Sequence, residues 1–125
     1  MMFLITASVL ALPLAANAQC LTAYQIANWI ESGHRYRVQI EAKEYGLWWD
    51  TWTMAADYCN NFYEHTRVYI NPQCHVQPDK RFVWADLSVA EGGLGLEVLR
   101  IAHESAAEEF RATHSGCTTD MSHVV

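Results

Sequence analysis

Residues 34–43 read HRYRVQIEAK. Tyr36, Val38, Ile40 and Ala42 alternate with Arg35, Arg37, Gln39, Glu41 and Lys43. A period of two is the pattern of a half-buried strand. The Glu-Ala-Lys-Glu run that closes the stretch favours a helix instead. As a strand the segment brings a sheet with it; as a helix it joins a bundle. It reads either way alone, so its surroundings decide.

Those surroundings are helical in pattern. From Leu47 to His65, at about 100° per residue, Leu47, Tyr58, Thr51, Phe62, Ala55, Trp48, Cys59, Trp52, Tyr63, Ala56 and Trp49 fall in order around one broad arc. Asn60, Thr53, Glu64, Asp57, Asp50 and Asn61 fill the other side. This is an amphipathic helix. Trp48 and Trp52 sit mid-arc and are expected in the core. Trp49 sits at the boundary and is the ring least needed for packing. A second helix is expected from Leu94 to Thr113, apolar over most of its circumference. A shorter one is expected from Thr22 to Ser32, with Gly33 at its C-terminal stop, and another from Phe82 to Ala90. Pro72, Pro78 and Cys74 mark 67–81 as a stapled connection. The expected fold is therefore mainly α: a small disulfide-stapled bundle of three to four helices, with residues 35–42 the one segment able to form a short strand.

The chain opens MMFLITASVLALPLAANAQC. An apolar run from Phe3 to Leu14 precedes Ala16-Asn17-Ala18, the A-x-A pattern of a secretory signal cut after Ala18. The run falls short of the ~20 residues that span a bilayer. Gln19 before Cys20 excludes a lipoprotein site. The expected organisation is a signal peptide over 1–18, one helical domain over 19–117 and a polar, mobile tail over 118–125. The expected location is periplasmic or secreted.

Four cysteines, Cys20, Cys59, Cys74 and Cys117, survive that cleavage. An even count in an exported small domain implies two disulfides. Of three pairings, Cys59–Cys74 with Cys20–Cys117 is favoured, one closing a local excursion and one tying the ends. A metal site from Cys59, His65, Cys74 and His75 has no C-x-x-C and no zinc-module spacing. Neither a metal nor a cofactor is expected.

Eight Lys and Arg against fourteen Asp and Glu give a net charge of −6. That disfavours nucleic acid, whose binding needs clustered cations, and anionic membranes. A protein partner with a basic surface is favoured. Within AHESA, 102–106, His103 precedes Glu104, but a zinc-protease helix needs a second histidine at position 107, which is Ala. His103 lies inside the apolar arc and reads as a core histidine satisfied by a neighbour. GGLGLE lacks the lysine of a phosphate loop and reads as a helix break. Asp50, Asp57 and Glu64 recur every seven residues as an acidic row. Beside Trp49 that row suits contact with a basic partner, since interface hot spots are commonly aromatic within a polar rim.

The layout of a signal segment, a short helical domain and four cysteines resembles the Rap/Tai-type immunity proteins of type VI secretion systems. The stretches that carry the resemblance are Cys59-Asn60-Asn61-Phe62-Tyr63, Cys74-His75-Val76-Gln77-Pro78 and Gly116-Cys117. They stand where that family shows Cys-x-Gly-Tyr, Cys-x-Pro and Pro-Cys. The resemblance implies a helical periplasmic protein that blocks a secreted cell-wall-degrading amidase, and it transfers no functional residue. The expected function is non-enzymatic protein binding, with Trp49, Asp50, Asp57 and Glu64 as the grip. The alternatives are a small enzyme or ligand binder using His103 in a cleft, and a stress-protective helper.

Overall fold

The alternation at 34–43 resolves as a strand, and a sheet comes with it. A computed structural model of the protein describes residues 18–43, 51–77 and 82–125. The elements run β1 (Ala18–Ile30), β2 (His34–Ala42), α1 (Thr51–Thr66), β3 (Ile70–Gln77), β4 (Phe82–Val89), α2 (Gly93–Thr113) and β5 (Cys117–His123). The strands form one five-stranded mixed sheet in the order β3-β4-β2-β1-β5. All neighbours are antiparallel except β1 and β5, which run parallel. The unit strand–strand–helix occurs twice, with β2 and β4 meeting at the centre.

This overturns the helical bundle. The segment expected as a helix at 22–32 is β1, and the one at 82–90 is β4. The stapled connection contains β3, and the expected tail at 118–125 lies largely in β5, with Val124 buried behind it. Only the two long helices keep their type. The signal-peptide residues 1–17 and the first residues of the Trp-rich segment, including Trp48, Trp49 and Asp50, lie outside the described residues.

The physical cause is that period two governs the central strands. On β2, Tyr36, Val38, Ile40 and Ala42 are buried under the helices, level with Leu87, Ala85 and Val83 of β4. Leu21 and Ala23 of β1 continue this apolar layer. A hairpin joins β1 to β2 through Gly33, whose φ of 102° suits a residue without Cβ. Both helices cover this one face. They pack antiparallel to each other, with Phe62 stacked on His103 and Asp57 meeting His114. Met54, Tyr58, Phe62, Leu99 and Phe110 are fully buried between helices and sheet. Each such side chain contributes about 1.5–3 kcal/mol of transfer free energy.

α1 is rotated relative to its expected orientation. Its buried arc holds Thr51, Met54, Ala55, Tyr58, Cys59, Asn61, Phe62 and Thr66, turned roughly 60° from the expected arc at 100° per residue. Trp52, expected in the core, is 48% exposed. Asn61 and Asp57 turn instead toward α2, which can satisfy them.

Two disulfides staple the fold. Cys20–Cys117 ties β1 to β5 across 97 residues, and Cys59–Cys74 ties α1 to β3 across 15. These are the pairs favoured from spacing, and they fit an oxidising compartment outside the cytosol. No described helix is long and apolar enough to cross a membrane.

Candidate functional site

The face of the sheet opposite the helices is built from the other parity of each strand. Arg35, Arg37, Gln39 and Glu41 of β2 lie level with Ser88, Asp86, Trp84 and Phe82 of β4. Gln73 and His75 of β3 extend the rows on one side, and Tyr24 of β1 on the other. On β1, a bulge between Gln25 and Ala27 shifts the register by one residue. Before it, Tyr24 shares the open face with Gln39; after it, Trp29 stands level with Arg35. Such a shift moves every later side chain to the opposite face. The bulge is what turns Trp29 outward.

Arg37 stands at the centre. Its Nε and one terminal nitrogen donate to the two Asp86 oxygens at 2.9 and 2.8 Å. Its guanidinium lies 4.5 Å from the Trp84 ring centroid and 5.4 Å from that of Trp29. The paired bonds to Asp86 raise the guanidinium pKa above its ordinary value. Asp86 is almost fully buried and also has His75 Nε2 at 3.5 Å. Fork-to-fork pairing and cation–π contact both restrict a side chain that is otherwise flexible.

The rows beside Arg37 are equally ordered. Arg35, buried, donates to Ser88 Oγ at 3.0 Å and Gln73 Oε1 at 3.1 Å. Trp84 Nε1 donates to Gln39 Oε1 at 3.0 Å. Gln39 Nε2 donates to the Tyr24 hydroxyl at 2.7 Å and to Glu41 at 2.9 Å. Tyr24 donates to Glu41, and that bond raises the phenol pKa. Phe82 stacks on Trp84 with centroids 6.0 Å apart. Phe82, Trp84 and Asp86 follow one another along the open side of β4, and the indole contacts both the Phe82 ring and the Arg37 guanidinium. The result is a rigid polar–aromatic platform whose groups are held before any ligand arrives.

Of the residues expected to form the grip, Trp49 and Asp50 lie outside the described residues, and Asp57 and Glu64 are described. Asp57 is partly buried and accepts from His114 Nε2 at 3.0 Å, so it is an internal contact of the helix pair. Glu64 is exposed and lines a shallow groove of about 400 Å³ with Asn60, Tyr63, Arg67 and Pro72. The metal reading of Cys59, His65, Cys74 and His75 is replaced by specific bonds. The two cysteines form a disulfide, His65 meets Glu109 at 2.7 Å, and His75 faces Asp86.

His103 is fully buried. Its Nδ1 lies 2.8 Å from the Tyr58 hydroxyl, while its Nε2 has no hydrogen-bond partner among the described residues. Burial lowers its pKa to about 3 and raises that of Tyr58. His103 is not among the residues that line the three grooves at Glu64, at Arg111 and at Val68.

Both sheet edges are blunted against pairing with another chain. On β3, Pro72 lacks a donor, and the Tyr63 hydroxyl accepts from the Cys74 N–H at 2.8 Å. On β5, Asp120 accepts from the Ser122 N–H at 3.1 Å. Among the described residues, the edges are blunted and the face opposite the helices carries no helix.

Arg37, Trp84, Asp86 and Trp29 were missed from sequence. Their signal was parity: once FVWADLSV is a strand, Phe82, Trp84, Asp86 and Ser88 share a side opposite Val83, Ala85, Leu87 and Val89. Comparison with known proteins finds no matching family model, no matching curated protein and no matching solved structure.

Proposed function

We propose that this chain is a non-catalytic binding protein of an extracytoplasmic compartment, and that it recognises a protein partner through the helix-free face of its sheet. The observation that carries the reading is Arg37, held by Asp86 and by two tryptophan rings on a face that neither described helix covers. Arg, Trp and Tyr are the residues that most often dominate protein interfaces. Groups already fixed in their bound geometry lose little entropy on association.

The stacking favours a protein over a sugar or a base. Both of those ligands stack on a free aromatic face, and the Trp84 ring already contacts Phe82 and Arg37. A protein surface can pack on ring edges and on the rim of Tyr24, Gln39, Glu41 and His75. The net charge of −6 favours approach by a basic partner through long-range attraction. An immunity-type role against a secreted cell-wall-degrading toxin is one form of this proposal. It rests on cysteine layout alone, because the helical fold that the resemblance implied is not this one. The reading against catalysis is supported by the complete burial of His103 and by the internal pairing of Asp86 and Glu41 on the open face.

The test is affinity capture from extracts of the compartment where the protein resides, comparing native chain, Trp84→Ala and Glu64→Lys. All three must first show the same far-ultraviolet spectrum. The proposal expects Trp84→Ala to lose at least about tenfold in recovery of one partner, as for a hot spot, and Glu64→Lys to retain it. Loss confined to Glu64→Lys would move the grip to α1 and refute the open face.

A further inference from the structure

A different surface carries an inference independent of the open face. At the end of the molecule where β4 stops and α2 starts, a shallow groove of about 220 Å³ is lined by Val68, Tyr69, Ile70, Val89, Ala90 and Val98, together with Ser88 from the last row of the open face. Val68 is 87% exposed and Ile70 50%. On α2, Leu94 is 83% exposed and Ile101 47%; with Val98 they are spaced i, i+4 and i+7 on one side of the helix. The apolar stripe of α2 thus continues directly into the groove.

The backbone is constrained to hold this arrangement. Asn71 adopts a φ of 49°, left-handed for a residue with a side chain, and bends the chain just past Ile70. Gly95 lies against the Ala90 carbonyl so closely that a Cβ would collide with it. That approach draws the start of α2 onto the end of β4 and leaves Leu94 standing as a ridge beside the groove.

We infer that this end of the molecule binds a second copy of the same chain in an isologous dimer. Two arguments select a second copy. The first is area: the exposed parts of Val68, Tyr69, Ile70, Leu94 and Ile101 amount to on the order of 500 Å², near the top of what a monomer leaves bare. Paired with itself the patch reaches about 1,000 Å², the lower bound of a specific interface. The second is charge. Arg67 and Glu91, both exposed, adjoin the lining residues Val68 and Ala90 in sequence, and neither is paired among the described residues, so the rim carries one charge of each sign. In the two-fold pairing so inferred, Arg67 of each copy meets Glu91 of the other, which an isologous interface allows when a rim carries both signs. The patch also offers a ridge, Leu94, next to a hollow able to receive its counterpart.

The experiment is sedimentation equilibrium of the full disulfide-bonded chain from about 1 to 500 μM, a range that covers weak dimers. The native chain is expected to shift from monomer to dimer with concentration. Leu94→Asp, at a solvent-exposed first-turn position where a carboxylate suits the helix, is expected to raise the dissociation constant at least tenfold with an unchanged melting temperature. Arg67→Glu and Glu91→Arg should each weaken association, and the double exchange Arg67→Glu with Glu91→Arg should restore it to within about threefold. A native chain that stays monomeric throughout, a Leu94→Asp chain that dimerises like the native one, or a double exchange no better than the singles would each overturn the inference. None of these outcomes depends on partner capture by the open face.

Discussion

Arg37 and His103 show how differently two cationic side-chain types are handled in one small fold. Arg37 keeps its charge because Asp86 and the tryptophan rings compensate it. Replacing Arg37 with Met leaves the Asp86 carboxylate buried, with only His75 at 3.5 Å. That should cost about 2 kcal/mol, the scale of a lost charged hydrogen bond, read as a lower urea midpoint. Arg37→Lys should recover only part of it, since an ammonium offers no fork. His103 instead stays neutral, its pKa lowered to about 3 by burial, whereas an unfolded histidine titrates near 6.5. Below about pH 6.5 the unfolded chain takes up a proton that the folded chain refuses until about pH 3. Stability therefore falls with pH, by about 1.4 kcal/mol per unit across that window from this group. Chemical denaturation between pH 6 and 4 should show a slope one proton steeper for the native chain than for His103→Leu; equal slopes would contradict the buried neutral ring. Sequence placed His103 in the core because it lies within an apolar helical arc. It misplaced Trp52, because hydrophobic periodicity counts a tryptophan as core whether or not the opposing helix has room for it, while Asn61 and Asp57 find partners on α2.

The elements that sequence reading lost are those whose period-two signal is disturbed. In β1 the bulge at Gln25 and Ala27 breaks the alternation midway, so Leu21 and Ala23 are buried while Ile26 and Ile30 are exposed. In β4 the outward residues begin with Phe82 and Trp84, which hides the contrast between the two faces. β3 carries a proline and a left-handed Asn71 at its start, and β5 is a polar edge strand held by a disulfide and a neighbour. β2 alone shows the undisturbed pattern, and the helices α1 and α2 were legible because their apolar arcs run for four turns or more. The start of α2 gives a sharp contrast between two neighbouring glycines. A Cβ at Gly93 would meet nothing within 4 Å, so Gly93→Ala should gain about 0.5 kcal/mol from lower unfolded-state entropy. A Cβ at Gly95 would strike the Ala90 carbonyl, so Gly95→Ala should lose about 2 kcal/mol or more. Thermal unfolding of the pair should move in opposite directions; similar shifts would mean that α2 does not lie on the end of β4 as described.

At the scale of the whole molecule, two helices cover one face of a five-stranded sheet and two disulfides fix its ends. The cysteine arithmetic was readable because chain length, parity of count and the local spacing of Cys59 and Cys74 constrain it. The open face was not readable, because it arises only when β2 and β4 meet in register and bring Arg37 level with Asp86. Removing Cys20 and Cys117 together should cost somewhat under 5 kcal/mol, and removing Cys59 and Cys74 about 3, by loop entropy. The larger loss from the longer loop is the checkable ordering in urea titrations. The central claim, recognition of a protein by the helix-free face, is tested most directly by site-specific photo-crosslinking in cells that produce the protein. Probes would replace His75, Gln77 or Glu41 on the open face and Glu64 or Glu108 on the helices. The account predicts a crosslinked partner species from the open-face positions and, from the helix positions, no adduct other than one with a second copy of the chain. Crosslinks from the helix positions alone, or from no position at all, would contradict it.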